Sequence, residues 1–214
     1  INVAEAGTIA IGGTSGCDSS ETAVASGANT ITLDSNGAGG SMADGAYTCT
    51  VTFTDTAGNA ASALTLTAFT VDTTVAAATQ TTAVSTPGKD QTPDVTYTTT
   101  EAGNIVYGGD CDGADTSAAS GANAVTLDGN GAGGNLAEGT YDDCTITFTD
   151  LAGNAASALD LTTFVIDITA PTRSESTVVT TPGNDQTPDI GITVSEAVTA
   201  VYGGDCDSQT SSLS

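Results

Sequence analysis

Twenty-six acidic side chains stand against two basic ones, Lys89 and Arg173, and histidine is absent. Carboxylate chemistry is therefore the first chemistry this chain offers. Sites rich in carboxylate and carbonyl oxygens hold calcium, which takes about six to eight such ligands. The acidic residues gather at recurring places. Asp72 and Asp167 end a predicted strand, Asp90 with Asp94 and Asp185 with Asp189 frame the segment DQTPD, and Asp55 and Asp150 open a D-x-x-G-N turn. These eight are the candidate calcium ligands. The same positions serve equally well as solvated caps, turn residues and solubility charges.

Other chemistries find less support. Without histidine there is no Ser-His-Asp or Cys-His machinery. Glycoside hydrolysis needs only two carboxylates, but the clefts that bind sugars are usually lined by aromatic rings, and aromatic residues make up 4% of this chain. Enzyme activity is not expected. Asp34/Asn36 and Asp128/Asn130 are spaced like the start of an EF-hand loop, yet Gly45 and Gly139 stand where the bidentate glutamate belongs, so a flexible surface loop is expected. Gly129, Gly131 and Gly134 satisfy G-x-G-x-x-G, but Ser35 breaks the pattern in the other copy and no βαβ context follows. Glu5, Glu101 and Glu196 recur and read as strand-edge residues.

Five cysteines remain. Cys17 and Cys49 are 32 residues apart, Cys111 and Cys144 are 33 apart, and no C-x-x-C accompanies them. Two disulfides are expected rather than metal sites, each stabilising by roughly 3 to 4 kcal/mol in the chain-entropy model. Cys206 matches Cys111, so its expected partner lies beyond Ser214; a covalent link between chains is the alternative. Disulfides persist outside the cytosol, which points to a periplasmic, surface or extracellular location.

A net charge of −24 repels phosphate backbones, attracts cations and keeps the chain soluble where salt screens it. Nucleic acid is not an expected partner. No apolar stretch approaches the ~20 residues of a membrane span. The opening INVAEAGT has no initiator methionine or apolar signal core, and reads as a mature or partial chain.

The chain repeats itself. TDTAGNAASALTL from Thr54 returns as TDLAGNAASALDL from Thr149, so that Asp55 and Asp150 lie 95 residues apart. STPGKDQTPD at 85 returns as TTPGNDQTPD at 180, and VYGGDCD at 106 returns at 201. A period near 95 is too long for a solenoid and right for one small domain. The expected units are residues 1–73, partial and lacking a first strand; 74–168, complete; and 169–214, partial. The chain is then either a window on a longer array or one whose broken units neighbouring molecules complete.

Forty-one threonines punctuated by glycine suit pleated strands. In YTCTVTFTD, Tyr47, Cys49, Val51 and Phe53 share one face and threonines the other, the mark of a half-buried strand. The parity of ALTLTAFTVD shifts between Leu66 and Phe69, which predicts a β-bulge near Thr67 and Ala68. Gly58-Asn59 and Gly153-Asn154 suit positive φ in a hairpin whose backbone Asp55 or Asp150 can bond. The middle unit thus holds about seven short strands, enough for a sandwich of two sheets with a core of mostly small side chains.

The order TPGNDQTPDI…SEA, then GTYDDCTITFTDLAGN, then TFVIDITAPT resembles the bacterial Ig-like repeats of large surface adhesins, biofilm proteins and extracellular filaments. The resemblance implies tandem Ig-like Greek-key β-sandwich domains of about 95 residues, with a role in extension or adhesion rather than catalysis. It also implies that calcium stiffens the junctions between domains through acidic linker residues. Two departures stand out: the first linker has Val75-Ala76 where the second has Ala170-Pro171, and Tyr141 is three residues before Cys144 whereas Tyr47 is two before Cys49. A bulge must absorb that slip, or the tyrosine corner is lost in the second copy.

The functional expectation is an extracellular or cell-surface structural repeat protein, a subunit or segment of a filament, with the stalk of a large adhesin as the alternative. Its partners are then other copies of itself or neighbouring Ig-like repeats. A carbohydrate-binding module would need exposed aromatic platforms; Tyr107 and Tyr202 recur, but Ile11 stands at that place in the first copy, which favours packing.

Overall fold

The computed structural model describes residues 1–206 and 212–213 and contains no helix among them. The first copy of the repeat forms eight short strands: β1 (Asn2–Val3), β2 (Gly7–Gly13), β3 (Ala23–Val24), β4 (Gly27–Ala28), β5 (Gly45–Tyr47), β6 (Cys49–Asp55), β7 (Leu64–Thr65) and β8 (Phe69–Val71). The middle copy forms nine, more than the sequence suggests: β9 (Ala78–Thr82), β10 (Asp94–Thr99), β11 (Gly103–Gly108), β12 (Ser117–Ala118), β13 (Gly121–Thr126), β14 (Gly139–Tyr141), β15 (Thr145–Asp150), β16 (Leu159–Asp160) and β17 (Phe164–Ile166). The third contributes β18 (Arg173–Thr177), β19 (Gly191–Val194), β20 (Val198–Thr199) and β21 (Ser212–Leu213).

Alternation decides which side of each strand is buried. Along β15, Ile146, Phe148 and Asp150 are buried while Thr145, Thr147 and Thr149 are half-buried, as period-2 geometry requires. Along β10, Val95, Tyr97 and Thr99 turn inward. One layer of the middle copy runs β12-β11-β15-β16, and the other contains β13-β10-β9, all antiparallel. Tyr97 of β10 meets Phe148 of β15 edge to face at 5.3 Å, and Tyr141 stacks on Phe164 at 5.0 Å. The chain is an all-β protein of the Ig-like sandwich class. Its middle core contains large side chains as well as small ones: Tyr97, Phe164, Leu127, Leu136 and Ile146 are among those fully buried.

The predicted bulge near Thr67 and Ala68 is instead a change of sheet. β7 pairs with β6, but β8 pairs with β5; β16 pairs with β15, but β17 pairs with β14. Gly88, downstream of β9, also exchanges backbone bonds with Val165 and Asp167 on either side of Ile166, which ties β17 to the opposite layer. A strand that crosses layers must present the other parity to the core, and this produces the shift between Leu161 and Phe164.

Both expected disulfides form, Cys17–Cys49 and Cys111–Cys144, while Cys206 is free and exposed. The tyrosine corner survives in both copies: the Tyr47 hydroxyl donates to Ala43 O at 2.8 Å and the Tyr141 hydroxyl to Ala137 O at 3.0 Å. The extra residue before Cys144 is taken up by Asp143, whose carboxylate accepts the Asp110 amide at 3.0 Å.

Candidate metal centre

The D-x-x-G-N turn is built around its aspartate. Asp150 Oδ1 accepts the backbone amides of Ala152, Gly153 and Asn154 at 2.7–2.8 Å, and Oδ2 accepts Asn154 Nδ2 at 2.8 Å. Gly153 takes φ 98°, which a side chain would resist; no asparagine does, so only the glycine of the Gly-Asn pair uses the left-handed region. The Asn154 side-chain bond, the largest influence, and these amides outweigh burial and hold the Asp150 carboxyl below its ordinary range. Asp55 does the same for Asn59 in the first copy.

The turn also reaches across to the preceding copy. Asn154 Nδ2 lies 3.0 Å from the carbonyl oxygen of Asp72 and 3.4 Å from that of Thr74. From the other side, Asp44 accepts the Thr73 amide at 2.9 Å and the Thr73 and Thr74 hydroxyls at 2.7 Å each. The linker after β8 is thus held by Asp44 below and Asn154 above.

Three carboxylates converge here. Ligand oxygens of Asp72, Glu101 and Asp150 all lie within 4.8 Å of one another, with Asp150 buried and the other two half-buried. Glu101 comes from the turn between β10 and β11, and Gly103 lets that turn close on β15: a Cβ there would sit 2.2 Å from Thr149 O. Burial, then the charges of Asp72, Asp150 and Asp44, hold the Glu101 carboxyl above its ordinary value. Ligands at calcium distances of 2.3–2.6 Å are at most about 5 Å apart across the ion, so this spacing fits. The donors are all oxygen, which suits a hard cation rather than zinc or copper. With two basic residues in the chain, a dissolved cation is the available counter-charge.

The second junction reuses the same positions. Glu138, Asp167 and Glu196, the counterparts of Asp44, Asp72 and Glu101, line one cavity with Thr169 and Ser195. Thr169 donates its hydroxyl to both carboxylate oxygens of Glu138 and its amide to Asp167 Oδ1 at 3.1 Å.

Of the eight aspartates singled out in the sequence, the structure brings Asp72 and Asp150 together. Asp167 sits at the second junction and Asp55 in its own turn. Asp90 and Asp185 accept the amides of Thr92 and Thr187, and Asp94 accepts the Thr126 hydroxyl; Asp189 precedes β19 and is exposed. Sequence reasoning missed Glu101, Asp44, Glu138, Glu196 and Asn154, and treated the recurring glutamates as strand-edge residues. The signal was the recurrence of Glu101 and Glu196 beside the linker that ends in Asp72 or Asp167.

The EF-hand-like loops are not loose surface loops. Asp128 is 2% exposed and accepts the amides of Asn130, Gly131 and Gly133, and Asp34 is 4% exposed in the same cage. The Asn130, Gly133 and Gly131 amides outweigh burial and hold the Asp128 carboxyl below its ordinary value. These carboxylates are saturated by backbone donors, as an internal staple is.

No curated protein and no solved structure matches the chain. The model of the bacterial Ig-like domain family matches residues 8–73, so the chain carries bacterial Ig-like repeat structure there, in the copy whose sequence recurs from Glu101 onward.

Proposed function

We propose that this chain is an extracellular structural repeat protein, a segment of a surface filament whose Ig-like units set reach and whose acidic junctions, loaded with calcium, set stiffness. The observation that carries this reading is the recurrence of one junction. Asp44, Asp72 and Glu101, beside the linker after β8, have the counterparts Glu138, Asp167 and Glu196, which line a cavity beside the linker after β17. The three-carboxylate cluster itself lies at the first junction among the described residues. Carboxylates that recur with the domain suit architectural work, since a cation held among them would fasten two neighbours. Bound calcium would supply charge neutralisation there, held by Asp72, Glu101 and Asp150. Two disulfides and the bacterial Ig-like match support a location outside the cytosol.

Negative-stain electron microscopy of native material in millimolar calcium and in EDTA tests this. Ordered fibres in calcium that loosen in EDTA support the filament. Single beaded rods in both conditions overturn it and favour the stalk of an adhesin.

A further inference from the structure

The first and last segments of the middle copy are joined directly. β9 leaves the first junction and pairs with β10, after which the chain continues through Thr86 and Pro87 to Gly88. β16 and β17 lead out to Asp167 at the second junction. Gln80 Oε1 accepts the Thr162 amide at 2.9 Å and the Thr162 hydroxyl at 2.8 Å. Further on, Thr86 Oγ1 accepts the Val165 amide at 2.9 Å, the Gly88 amide donates to Val165 O at 2.9 Å, and the Asp167 amide donates to Gly88 O at 2.8 Å. Pro87 carries no amide and cannot join a ladder, so Thr86 takes part through its side chain and Gly88 through its backbone.

These contacts rise in the same order along both segments, from Gln80 with Thr162 to Gly88 with Ile166, as parallel segments require. Gly88 and Ile166 are indeed a parallel pair, whereas the strand pairs of this copy are antiparallel. The consequence is mechanical. Tension along the chain reaches this copy through the linker before β9 and leaves through the linker after β17. It therefore pulls the two parallel segments from opposite ends, and the bonds between them lie across the pull and are loaded together. Pulled from the same end, the same bonds would open one after another. Each is modest at equilibrium because water offers its groups other partners. Forced unfolding reads the unfolding rate instead, and bonds that must break together raise that barrier.

We infer that Gln80, Thr86 and Gly88, held to Thr162, Val165 and Asp167, form a shear clamp through which the middle copy carries tension along the chain. This rests on the filament reading only in that the chain is pulled along its length, a load that a filament and a stalk share.

The test is force spectroscopy of the full chain with azide-bearing side chains introduced at two exposed positions as attachment points. Val75 and Ile168, 52% and 51% exposed, lie beyond opposite ends of the clamp. Val75 and the exposed Ser157 lie on the same side of it, each five residues before Gln80 or Thr162. The unfolding force should be roughly twofold or more higher for the first pair than for the second. Gln80→Ala should lower the force for the first pair by about a third and leave that for the second pair, and the thermal midpoint, nearly unchanged. Equal forces in the two geometries, or a fall on Gln80→Ala that is absent or the same in both, overturn the clamp. Single chains are measured, so the microscopy of fibres decides the filament independently. Fibres without a clamp leave the filament standing, and a clamp without fibres keeps the load-bearing role and transfers it to the stalk.

Discussion

The side-chain amide of Asn154 lies 3.0 Å from the main-chain carbonyl of Asp72, joining the hairpin of one Ig-like copy to the linker that follows the last strand of the copy before it. Its contact of 2.8 Å to Asp150 Oδ2 fixes the rotamer. One residue therefore orders the turn, presents Asp150 and fastens the linker. Asn154→Ala should widen the angular spread between the two copies in small-angle scattering, raising the fitted flexibility at the linker, while the near-ultraviolet spectrum of the tyrosine core stays unchanged. A spread equal to that of the parent chain would contradict the coupling.

Glu101 should change sign with the solvent. Without a cation it is a carboxylate pressed against Asp72, Asp150 and Asp44, so Glu101→Gln should raise the unfolding midpoint in EDTA by a degree or more. With calcium the same substitution removes a ligand, and the midpoint should fall below that of the parent. Differential scanning calorimetry of both chains in both buffers checks the crossing; equal ranking in the two buffers defeats it.

The pH dependence follows from opposed shifts. Asp34, Asp44, Asp55, Asp128 and Asp150 are held below their ordinary values, so the stability they confer is present above about pH 4 and is lost as pH falls through their folded values. Glu101 is held above its ordinary value, so its destabilising effect is felt at neutral pH and relieved as pH falls through its folded value. In EDTA the advantage of Glu101→Gln over the parent should shrink as pH falls from neutral through the raised folded value of Glu101, and both chains should lose stability steeply below about pH 4. An advantage that stays constant as pH is lowered from neutral to about 4 would show that Glu101 is not repelled.

Two tyrosines separate a satisfied hydroxyl from an orphan one. The Tyr141 hydroxyl bonds Ala137 O, so Tyr141→Phe should cost about 1 kcal/mol. The Tyr97 hydroxyl is buried with no partner, so Tyr97→Phe should be neutral or stabilising by up to about 1 kcal/mol. Urea unfolding of both variants gives the order directly, and a larger loss for Tyr97→Phe would contradict it.

Most of the architecture was legible because it rests on local rules. Alternation around Val51 and Ile146 marked strands, and the near-equal spacing of the cysteine pairs, 32 and 33 residues, marked the disulfides. What failed needed three dimensions. The parity shift after Leu66 reads as a bulge along one strand and becomes a change of layer only when β8 is seen beside β5. Glu101 reads as a strand-edge residue because nothing in its neighbourhood along the chain contains Asp72 or Asp150; the fold brings them together across 29 and 49 positions. Asp128 reads as part of a flexible surface loop, since no pattern reveals that three amides have already claimed its oxygens.

Isothermal titration of calcium into the chain, beside a chain carrying both Asp72→Asn and Glu101→Gln, tests the junction most directly. The account predicts a saturable site in the parent that disappears from the double variant, with no loss of folded signal before titration. Identical isotherms for the two chains, or no binding by the parent in the millimolar range, would contradict it.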